Sequence, residues 1–414
     1  MQDNEKKPAL RFKGFTDPWE QRKLGEIAVF SKGVGYSKND LCEEGTPIIL
    51  YGRLYTKYET CIFDVDTFVK EKAGSVYSKG GEVIVPASGE TAEDISIASV
   101  VVKPGILLGG DLNIVSPTAE YDSAFLALTI SSGATHKYLS SLAQGKSVVH
   151  LHNADIQSVS AKFPTKREQE KIHLLFGKID TLITLHQRKY EKLVNIKKSM
   201  LDKMFPQNGV SVPEIRFKGF TDPWEQRKLG EICDFITKGA TPTTYGFSWQ
   251  PDGVPFFRND SIKDNVFVFG EFSYISEAAN EVLKRSEVHG NDILIAITGD
   301  IGKVGIIPDT VEKANINQHI ARVRIRKEAL PYFVYQYLAS DDTQKEYQKI
   351  KTGLSMPQLS LEQVRDIVVK IPEFNEQGKI AGCLRRIDTL ITLHQRKLEK
   401  LQNIKKSCLE KMFV

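Results

Sequence analysis

The most regular pattern in this chain is a seven-residue spacing of apolar side chains, which occurs in two separate segments. The positions that recur are Ile172, Ile179, His186, Leu193 and Met200 in the first segment, and Ile380, Ile387, His394, Leu401 and Cys408 in the second. This period predicts two helices that pack along a partner helix, with Lys- and Glu-rich faces towards solvent. We predict a second row three residues after the first, and Ile183, Tyr190 and Met204 widen the same stripe. The predicted seam residues are Ile179, Leu182, Leu193, Ile196, Ile387, Leu390, Leu401 and Ile404.

An internal repeat accompanies this spacing. The segment IDTLITLHQRK occupies residues 179–189 and again 387–397, and RFKGFTDPWEQRKLGEI begins at Arg11 and again at Arg216. The copies are displaced by nearly the same number of residues, so the chain consists of one unit, a domain followed by a helix, written twice. An antiparallel pairing across a pseudo-two-fold axis is the simplest way to bury both apolar faces. The alternative is that each helix packs only on its own domain.

Basic side chains interrupt the predicted seam. His186, Lys189 and Lys203 lie among the apolar rows of the first helix, so a further helix from a partner could complete the packing. Lysines such as Lys197 and Lys405 are expected on solvated faces or in contacts with other subunits.

The repeats divide the chain into a first domain at 1–160, a first helix at 161–205, a second domain at 206–370 and a second helix at 371–414. Short apolar runs bounded by Gly and Pro predict strands. The predicted strands lie at 46–50, 82–87, 98–108, 254–258, 292–298, 303–308 and 320–325, and predicted helices lie at 123–132 and 331–340. The expected fold class is therefore α/β (α+β) domains in two copies, separated by two long antiparallel coiled-coil-like helices.

The two domains differ from each other far more than the helices do. The segment 88–90 corresponds to 298–300, and Pro164 corresponds to Pro372, which indicates one fold with two different surfaces. Such divergence is expected if each domain reads a different ligand. Drift after duplication, without a change of ligand, is the alternative.

Composition favours a globular protein of the cytoplasm. The hydrophobic share is 41%, no apolar run approaches the ~20 residues that span a membrane, and the segment MQDNEKKPAL is too polar for a signal peptide. Five scattered cysteines without a CxxC pair argue against a disulfide framework and against a zinc site.

The net charge of +4 is unevenly distributed. Residues 178–205 and 386–414 each contain seven Lys or Arg and three Asp or Glu, so the helices are basic and the remainder of the chain is net negative. The domains can therefore offer only local cationic clusters to a nucleic acid, or a partner supplies much of the phosphate neutralisation.

Motifs of known catalysis are missing. The run 298–305 has two residues between its glycines where a P-loop has four, and Val304 follows its lysine. Lys38 stands where a dinucleotide fingerprint beginning at Gly33 would need its third glycine. No Pro-Pro dipeptide marks an amino-methyltransferase loop. His150 with His152, and Gln318 with His319, could suggest metal ligands, but no carboxylate lies at helical spacing to support them. The prediction is a binding protein with no catalytic residues and no metal site.

The repeated FTDPWEQRKLGEI block and the end of each domain resemble the DNA-specificity subunit of Type I restriction-modification systems, over essentially the whole chain. The second copy runs TGLSMPQLSLEQVRDIVVKIPEFNEQGKI before its helix, and the first runs QGKSVVHLHNADIQSVSAKFPTKREQEKI. The first copy departs from the usual sequence pattern of the family, with Val149 at the position of Pro357 and His150 opposite Gln358.

The resemblance implies that each domain is a target-recognition domain that reads one half of a split double-stranded DNA site. The two helices would set the gap between half-sites and dock the modification subunits. A helix of about 34 residues is ~50 Å long, more than one ~34 Å turn of B-DNA. This chain would bind no cofactor. S-adenosylmethionine would belong to the modification subunits, and ATP and magnesium to the restriction subunits.

Side-chain chemistry suggests which residues could contact DNA, since Arg and Lys suit guanine or phosphate, Asn and Gln suit adenine, and Ser and Thr suit either. The candidates in the first domain are Lys32, Tyr51, Arg53, Ser88, Asn113 and His152. Those in the second domain are Lys238, Arg258, Asn259, Lys303, Gln318, Ser355 and Gln358.

Two other functions stay open. One is a coiled-coil adaptor between proteins, which the modest charge allows and which would show no salt-dependent DNA affinity. The other is a self-contained nuclease or methyltransferase with an unrecognised site, which activity of the isolated chain would reveal.

Overall fold

The computed structural model describes residues 7–145, 148–207, 209–270, 272–353 and 357–413. Its contacts divide the chain into two compact units, residues 1–187 with 395–414 (unit 1) and residues 188–394 (unit 2). The long helices extend over Lys166–Met204 and Phe374–Met412, so each unit contains half of each helix. The domain boundaries predicted from the repeats stay a prediction.

The first domain is built on a five-stranded sheet and a smaller four-stranded sheet. In spatial order the larger sheet contains Ala28–Lys32, Leu112–Pro117, Glu82–Pro86, Ser99–Val101 and Cys61–Ile62. The smaller contains Leu107–Leu108, Thr46–Ile49, Phe68–Val69 and Leu41–Cys42. The helices are Leu24–Ile27, Arg53–Thr56, Ala92–Ile95, Ser123–Ile130, Gly133–Leu142 and Asn153–Ser158. Because Ser123–Ile130 is apolar on nearly all sides, it is buried in the core of this domain.

The second domain repeats this architecture with different details. One four-stranded sheet contains Cys233–Lys238, Ile320–Ile325, Ile293–Ala296 and Val304–Ile306. The other contains Ser273–Ile275, Val254–Phe257, Ala314–Ile316 and Glu287–Val288. A hairpin joins Ile262–Lys263 to Val266–Phe267, and the helices are Glu277–Val282, Pro331–Leu338, Asp341–Ile350 and Leu361–Asp366.

The RFKGF blocks tie the beginning of each domain to the beginning of a long helix. Strand Glu20–Lys23 pairs antiparallel with Ser160–Phe163, and Glu225–Lys228 pairs in the same way with Val368–Ile371. Arg11 donates two hydrogen bonds to Glu168 in the first turn of the first helix, both at 2.7 Å.

The second copy repeats this bidentate pair. Arg216 reaches Glu376 in the first turn of the second helix at 2.7 and 2.8 Å. Both glutamates are fully buried, so removing either arginine would leave an uncompensated buried charge.

Within each unit the two helix halves run antiparallel. In unit 1, the Phe176 ring lies near that of Phe413, and Asp180 forms an ion pair with Lys405, so one helix advances as the other returns. The mixed α/β fold with a long helix between two domains is therefore confirmed.

One part of the predicted seam is wrong in register. The half-buried stripe of the first helix steps by four and then three residues, through Ile172, Phe176, Ile179, Ile183, His186, Tyr190, Leu193, Lys197, Met200 and Met204. The row covered within the chain is thus the one predicted to widen the stripe, four residues after the first row, and not the row three residues after it. Ile179 and Leu193 belong to the stripe, whereas Leu182 and Ile196 lie on its flank, 43% and 38% exposed.

The second helix shows the same correction. Ile387 and Leu401 are half-buried, while Leu390 and Ile404 are 42% and 40% exposed. The physical reason is the 100° turn per residue, which puts the third residue ~60° to one side of a starting position and the fourth ~40° to the other. Both flanks carry apolar residues, and the packing of helix and domain decides which one is covered.

The aromatic residue at the end of each helix closes the core of one unit. Phe413 is 5% exposed, and its ring centroid lies 5.4 Å from that of Phe125. In unit 2, Phe205 occupies the equivalent position against Trp224 and Phe333. The end of the second helix therefore completes the core of the first domain.

We predict that Phe413→Ala destabilises unit 1 by about 3–5 kcal/mol, the usual cost of truncating a buried Phe, and leaves unit 2 intact. Hydrogen exchange of peptides from each unit measures this directly. Phe205→Ala is the matched control and should act on unit 2 alone. Equal protection loss in both units after either substitution would contradict the assignment.

Candidate nucleic-acid interface

Polar side chains of the second domain converge where three strands meet at one end of a sheet. The antiparallel register pairs Lys238 with Ala321 and Ala296 with Ile320. The residues that follow Lys238 and Ala296, and those that precede Ile320, are therefore neighbours. We call this region the second polar edge; it comprises Lys238, Thr241, Arg258, Asn259, Thr298, Gln318, His319 and Gln358.

Hydrogen bonds connect the centre of this edge. The Thr241 hydroxyl donates to Gln318 Oε1 at 2.6 Å, and Gln318 Nε2 lies 3.0 Å from His319 Nε2. His319 Nδ1 lies 2.5 Å from the Thr298 hydroxyl. These contacts connect Thr241, Gln318, His319 and Thr298 in one continuous chain.

Two further residues, Asn259 and Gln358, contact the loop that contains Thr298. Asn259 Nδ2 donates to the Thr298 carbonyl at 2.7 Å, and Asn259 Oδ1 is buried. Gln358 forms an isolated antiparallel bridge with Thr298, and its side chain is exposed. Asn259 therefore positions the loop, whereas Gln358 presents its amide to solvent.

Two cations at this edge form no ion pair among the described residues. Lys238 is exposed at the end of its strand. The Arg258 guanidinium lies 4.8 Å from the centre of the Trp249 ring and donates to the Ser273 hydroxyl at 2.8 Å. Lys303 differs, because it pairs with Asp300 at 2.8 Å. Lys238 and Arg258 therefore keep their positive charge available for an anionic ligand.

The first domain has an equivalent edge, which we call the first polar edge; it comprises Lys32, Tyr51, Tyr55, Ser88, His150 and His152. Ser88 corresponds to Thr298, and its hydroxyl lies 3.1 Å from His150 Nδ1. The rings of His150 and His152 stack at 6.4 Å. Burial raises the pKa of Tyr55, so its hydroxyl stays protonated and donates to the Ser88 carbonyl at 2.8 Å. A hydroxyl paired with an imidazole thus occurs at the same place in both domains.

Two candidate residues of the first domain are used by the fold itself. Arg53 has only 8% of its side chain exposed and pairs with Glu59 at 2.7 Å and Asp66 at 2.9 Å. Asn113 is fully buried and donates to the Leu151 carbonyl at 2.8 Å. The Nε of Arg53 and the Oδ1 of Asn113 have no partner among the described residues, but both atoms are buried, so we exclude both side chains from the polar edge.

Of the remaining candidates, Lys32 and Tyr51 are exposed and available to a ligand. Lys32 pairs in register with Asn113 at the end of its strand and makes no ion pair in the described part of the chain. Tyr51 is exposed and packs edge-on against Tyr55. Ser355 lies outside the described residues.

Five residues of the two polar edges were not among the DNA-binding candidates from the sequence: Thr241, Thr298, His319, Tyr55 and His150. Part of the signal was present in the sequence, because the repeat aligned Ser88 with Thr298, and the pairs His150 with His152 and Gln318 with His319 stood out as possible metal ligands. Only the fold shows that those histidines lie against the aligned hydroxyls.

Within the described ranges, no three His, Cys, Asp or Glu side chains converge as metal ligands. In the same part of the chain no helix is long and apolar enough to cross a membrane.

Comparison with known proteins identifies the class. The chain belongs to the Type I restriction modification DNA specificity domain family, whose sequence profile matches residues 16–195 and again residues 221–403. Each half of the repeat is thus one copy of that domain.

Individual relatives agree with this assignment. The chain is 23% identical over 401 residues to the Type I restriction enzyme MjaVIII specificity subunit of Methanocaldococcus jannaschii, covering 94% of this chain and 91% of that protein. It is 25% identical over 304 residues to the EcoBI specificity subunit of Escherichia coli, covering 67% and 63%. The fold is similar to the S subunit of a Type I restriction-modification system from M. genitalium, with a TM-score of 0.63, 15% identity and 99% coverage of both chains.

We predict opposite effects for two residues that are paired across neighbouring strands. Asn113→Ala should lower the free energy of unfolding by about 1–3 kcal/mol, because the Leu151 carbonyl loses its donor, while DNA affinity at a permissive temperature stays unchanged. Lys32→Ala should leave the melting temperature unchanged and weaken DNA binding by the assembled complex. Thermal denaturation and fluorescence anisotropy measure the two quantities, and a weaker DNA affinity in Asn113→Ala would contradict its exclusion.

Proposed function

We propose that this chain is the DNA-specificity subunit of a Type I restriction-modification complex, in which each polar edge reads one half of a bipartite double-stranded DNA site. The observation that carries the proposal is the placement, at the same end of both domains, of side chains that suit base edges. In the second edge these are Arg258, Gln318 and Gln358, and the first edge offers His152 and Tyr51.

The chemistry of the second edge fits direct readout in a groove. The exposed Gln358 amide has the paired donor and acceptor that adenine requires, and the guanidinium of Arg258 suits guanine or phosphate. Trp249 restricts Arg258 by stacking, which lowers the entropy lost on binding. Lys238 is better suited to phosphate, which positions a protein on DNA without reading sequence.

The two edges carry different side chains on one fold. His150 occupies the alignment position of Gln358, and the imidazole paired with the aligned hydroxyl comes from a different segment in each domain. Different donors and acceptors at equivalent positions would give the two half-sites different sequences.

The long helices would set the gap and dock the modification subunits. Each helix leaves a flank of apolar residues exposed beside its seam, Leu182, Leu185 and Ile196 in the first helix and Leu390, Leu393 and Ile404 in the second. An exposed apolar stripe along a helix fits a partner helix packed in the same manner. Because the stripe occurs twice, we expect one modification subunit on each copy.

Catalysis would reside on the partners. In this proposal S-adenosylmethionine belongs to the modification subunits, and ATP and magnesium belong to restriction subunits that join the assembly. The chain would act on DNA in the cytoplasm, where it would supply the sequence specificity and the scaffold for the partner subunits.

Methylome sequencing of cells that express this chain with its modification subunit tests the proposal. We expect a new split motif with adenine methylated in both halves. An assembled complex that methylates no new motif would refute it and favour the adaptor function.

We predict that Arg258→Ala relaxes one base position in one half of that motif and leaves the other half unchanged, since a lost arginine–base contact costs about 1–3 kcal/mol. Arg326→Ala is the matched control, because Arg326 follows strand Ile320–Ile325 at the end opposite the polar edge and forms an ion pair with Asp234. Relaxation of both halves, or of neither, would count against the assignment of the edge.

We predict that a seven-residue insertion in both helices, after Arg188 and after Arg396, widens the gap by about three base pairs. Seven residues preserve the heptad phase and add ~10.5 Å, and one ~34 Å turn of DNA contains about 10.5 base pairs. The half-site sequences should not change. The same seven residues inserted in the linker after Gly209 should leave the gap unaltered. Altered half-site sequences would show that the helices do more than set the gap.

A further inference from the structure

A carboxylate on the second helix joins three elements of unit 2. Asp388 accepts a hydrogen bond from the Tyr332 hydroxyl at 2.5 Å and from Gln336 Nε2 at 2.8 Å, both on the helix Pro331–Leu338 of the second domain. It also forms an ion pair with Lys197 Nζ of the first helix at 2.8 Å. A side chain of the second helix thus contacts both the second domain and the first helix.

Unit 1 repeats the arrangement at the corresponding residues. Asp180 forms an ion pair with Lys405 Nζ of the second helix at 2.6 Å and accepts from the Thr60 hydroxyl of the first domain at 3.2 Å. The helix residues are those of the repeat, whereas the domain donors differ. The second domain holds its aspartate through two side chains and the first domain through a single threonine.

The lysines of these pairs lie within the apolar stripe. Lys197 and Lys405 occupy seam positions and are only 16% and 21% exposed. A shift of one helix along the other would leave each ammonium group in the seam without its carboxylate, which is costly for a half-buried charge. A lysine at such a position is known to specify helix register. The two ion pairs therefore select one register in each unit.

The aspartates also provide a second attachment between domain and helix. The first attachment in unit 2 is the first turn, where Glu376 pairs with Arg216 and the Leu330 amide donates to Gln377. Asp388 lies 12 residues later, about 18 Å along the helix axis. A domain attached at one point could tilt about it, whereas attachment at two separated points fixes its direction along the helix.

We propose that Asp180 and Asp388 are positioning residues that lock helix register and domain seating in each unit, and that they thereby determine how strictly the complex measures the gap between half-sites. This inference rests on the proposed function. It assigns gap stringency to two side chains that lie away from both polar edges.

The test uses the complete complex of this chain with its modification subunits. Initial methylation rates are measured on duplexes that share both half-sites and differ only in the gap, at the preferred length and at one base pair shorter and longer. The variants are Tyr332→Phe, which removes one domain contact and keeps the ion pair, and Asp388→Asn, which removes the ion pair. Asp388→Glu tests rescue, and Asp366→Asn, which breaks an exposed pair with Lys228, is the matched control.

We expect the ratio of the rate at the preferred gap to the rate at the neighbouring gaps to fall about tenfold in Tyr332→Phe and Asp388→Asn, equivalent to ~1.4 kcal/mol. Asp388→Glu should restore part of the ratio, and Asp366→Asn should leave it unchanged. Half-site sequences should stay the same in all variants.

A purely structural role would lower the rates at all gaps by the same factor and leave the ratio unaltered, which would overturn the inference. If Asp388→Asn fails to assemble, Tyr332→Phe decides alone, and an unaltered ratio in that variant overturns the inference as well. Failure of the proposed function is distinguishable, because the unaltered complex would then methylate none of the duplexes.

Discussion

The packing of one helix half against the returning half of the other is the interaction on which the rest of the structure depends. Neither domain completes its core from its own stretch of sequence, since Phe413 closes the first domain and Phe205 the second. The seam that joins the halves is not wholly apolar. Lys197 and Lys405 interrupt it, and their carboxylate partners turn two destabilising positions into a preference for one register.

This arrangement explains why the two helices resemble each other far more than the two domains do. A substitution in the seam acts on two packed helices at once, and one in the first turn acts on a buried Arg–Glu pair such as that of Arg216. The polar edges lie at strand ends, where a side chain can change without exposing apolar surface. His150 and Gln358 occupy equivalent positions with quite different chemistry. The fold therefore tolerates variation where a ligand is read and resists it where the scaffold is held.

The sequence predicted the fold well where periodicity and repetition carried the signal. The two long helices, the strands at 82–87 and 320–325 and the buried helix at 123–132 are all present near their expected positions. The second row of the seam was misplaced because both flanks of the first row are apolar, as Leu182 and Ile183 illustrate. Periodicity alone cannot choose between two apolar flanks, and the choice is made by long-range packing.

The candidate site was less predictable for a related reason. Residue type suggests what a side chain can bind, but not whether the fold already uses it. Arg53 and Asn113 have the right chemistry, yet acidic neighbours and a buried carbonyl occupy their donors. Conversely, His319 became informative only when the sheet placed it against Thr298. Lys197 and Lys405, expected in solvent or at subunit contacts, lie in the seam for the same reason.

The positive charge of this chain is concentrated on its helices. The chain outside its helices is net negative, and two of the basic helix residues are neutralised within the seam. The polar edges therefore combine side chains that suit base edges with few unpaired cations, whereas much of the affinity of proteins for DNA comes from phosphate neutralisation. Recognition by this chain should then depend on cations that a docked partner supplies. Such dependence would make specificity a property of the assembled complex, with the free subunit unable to occupy and block its own sites.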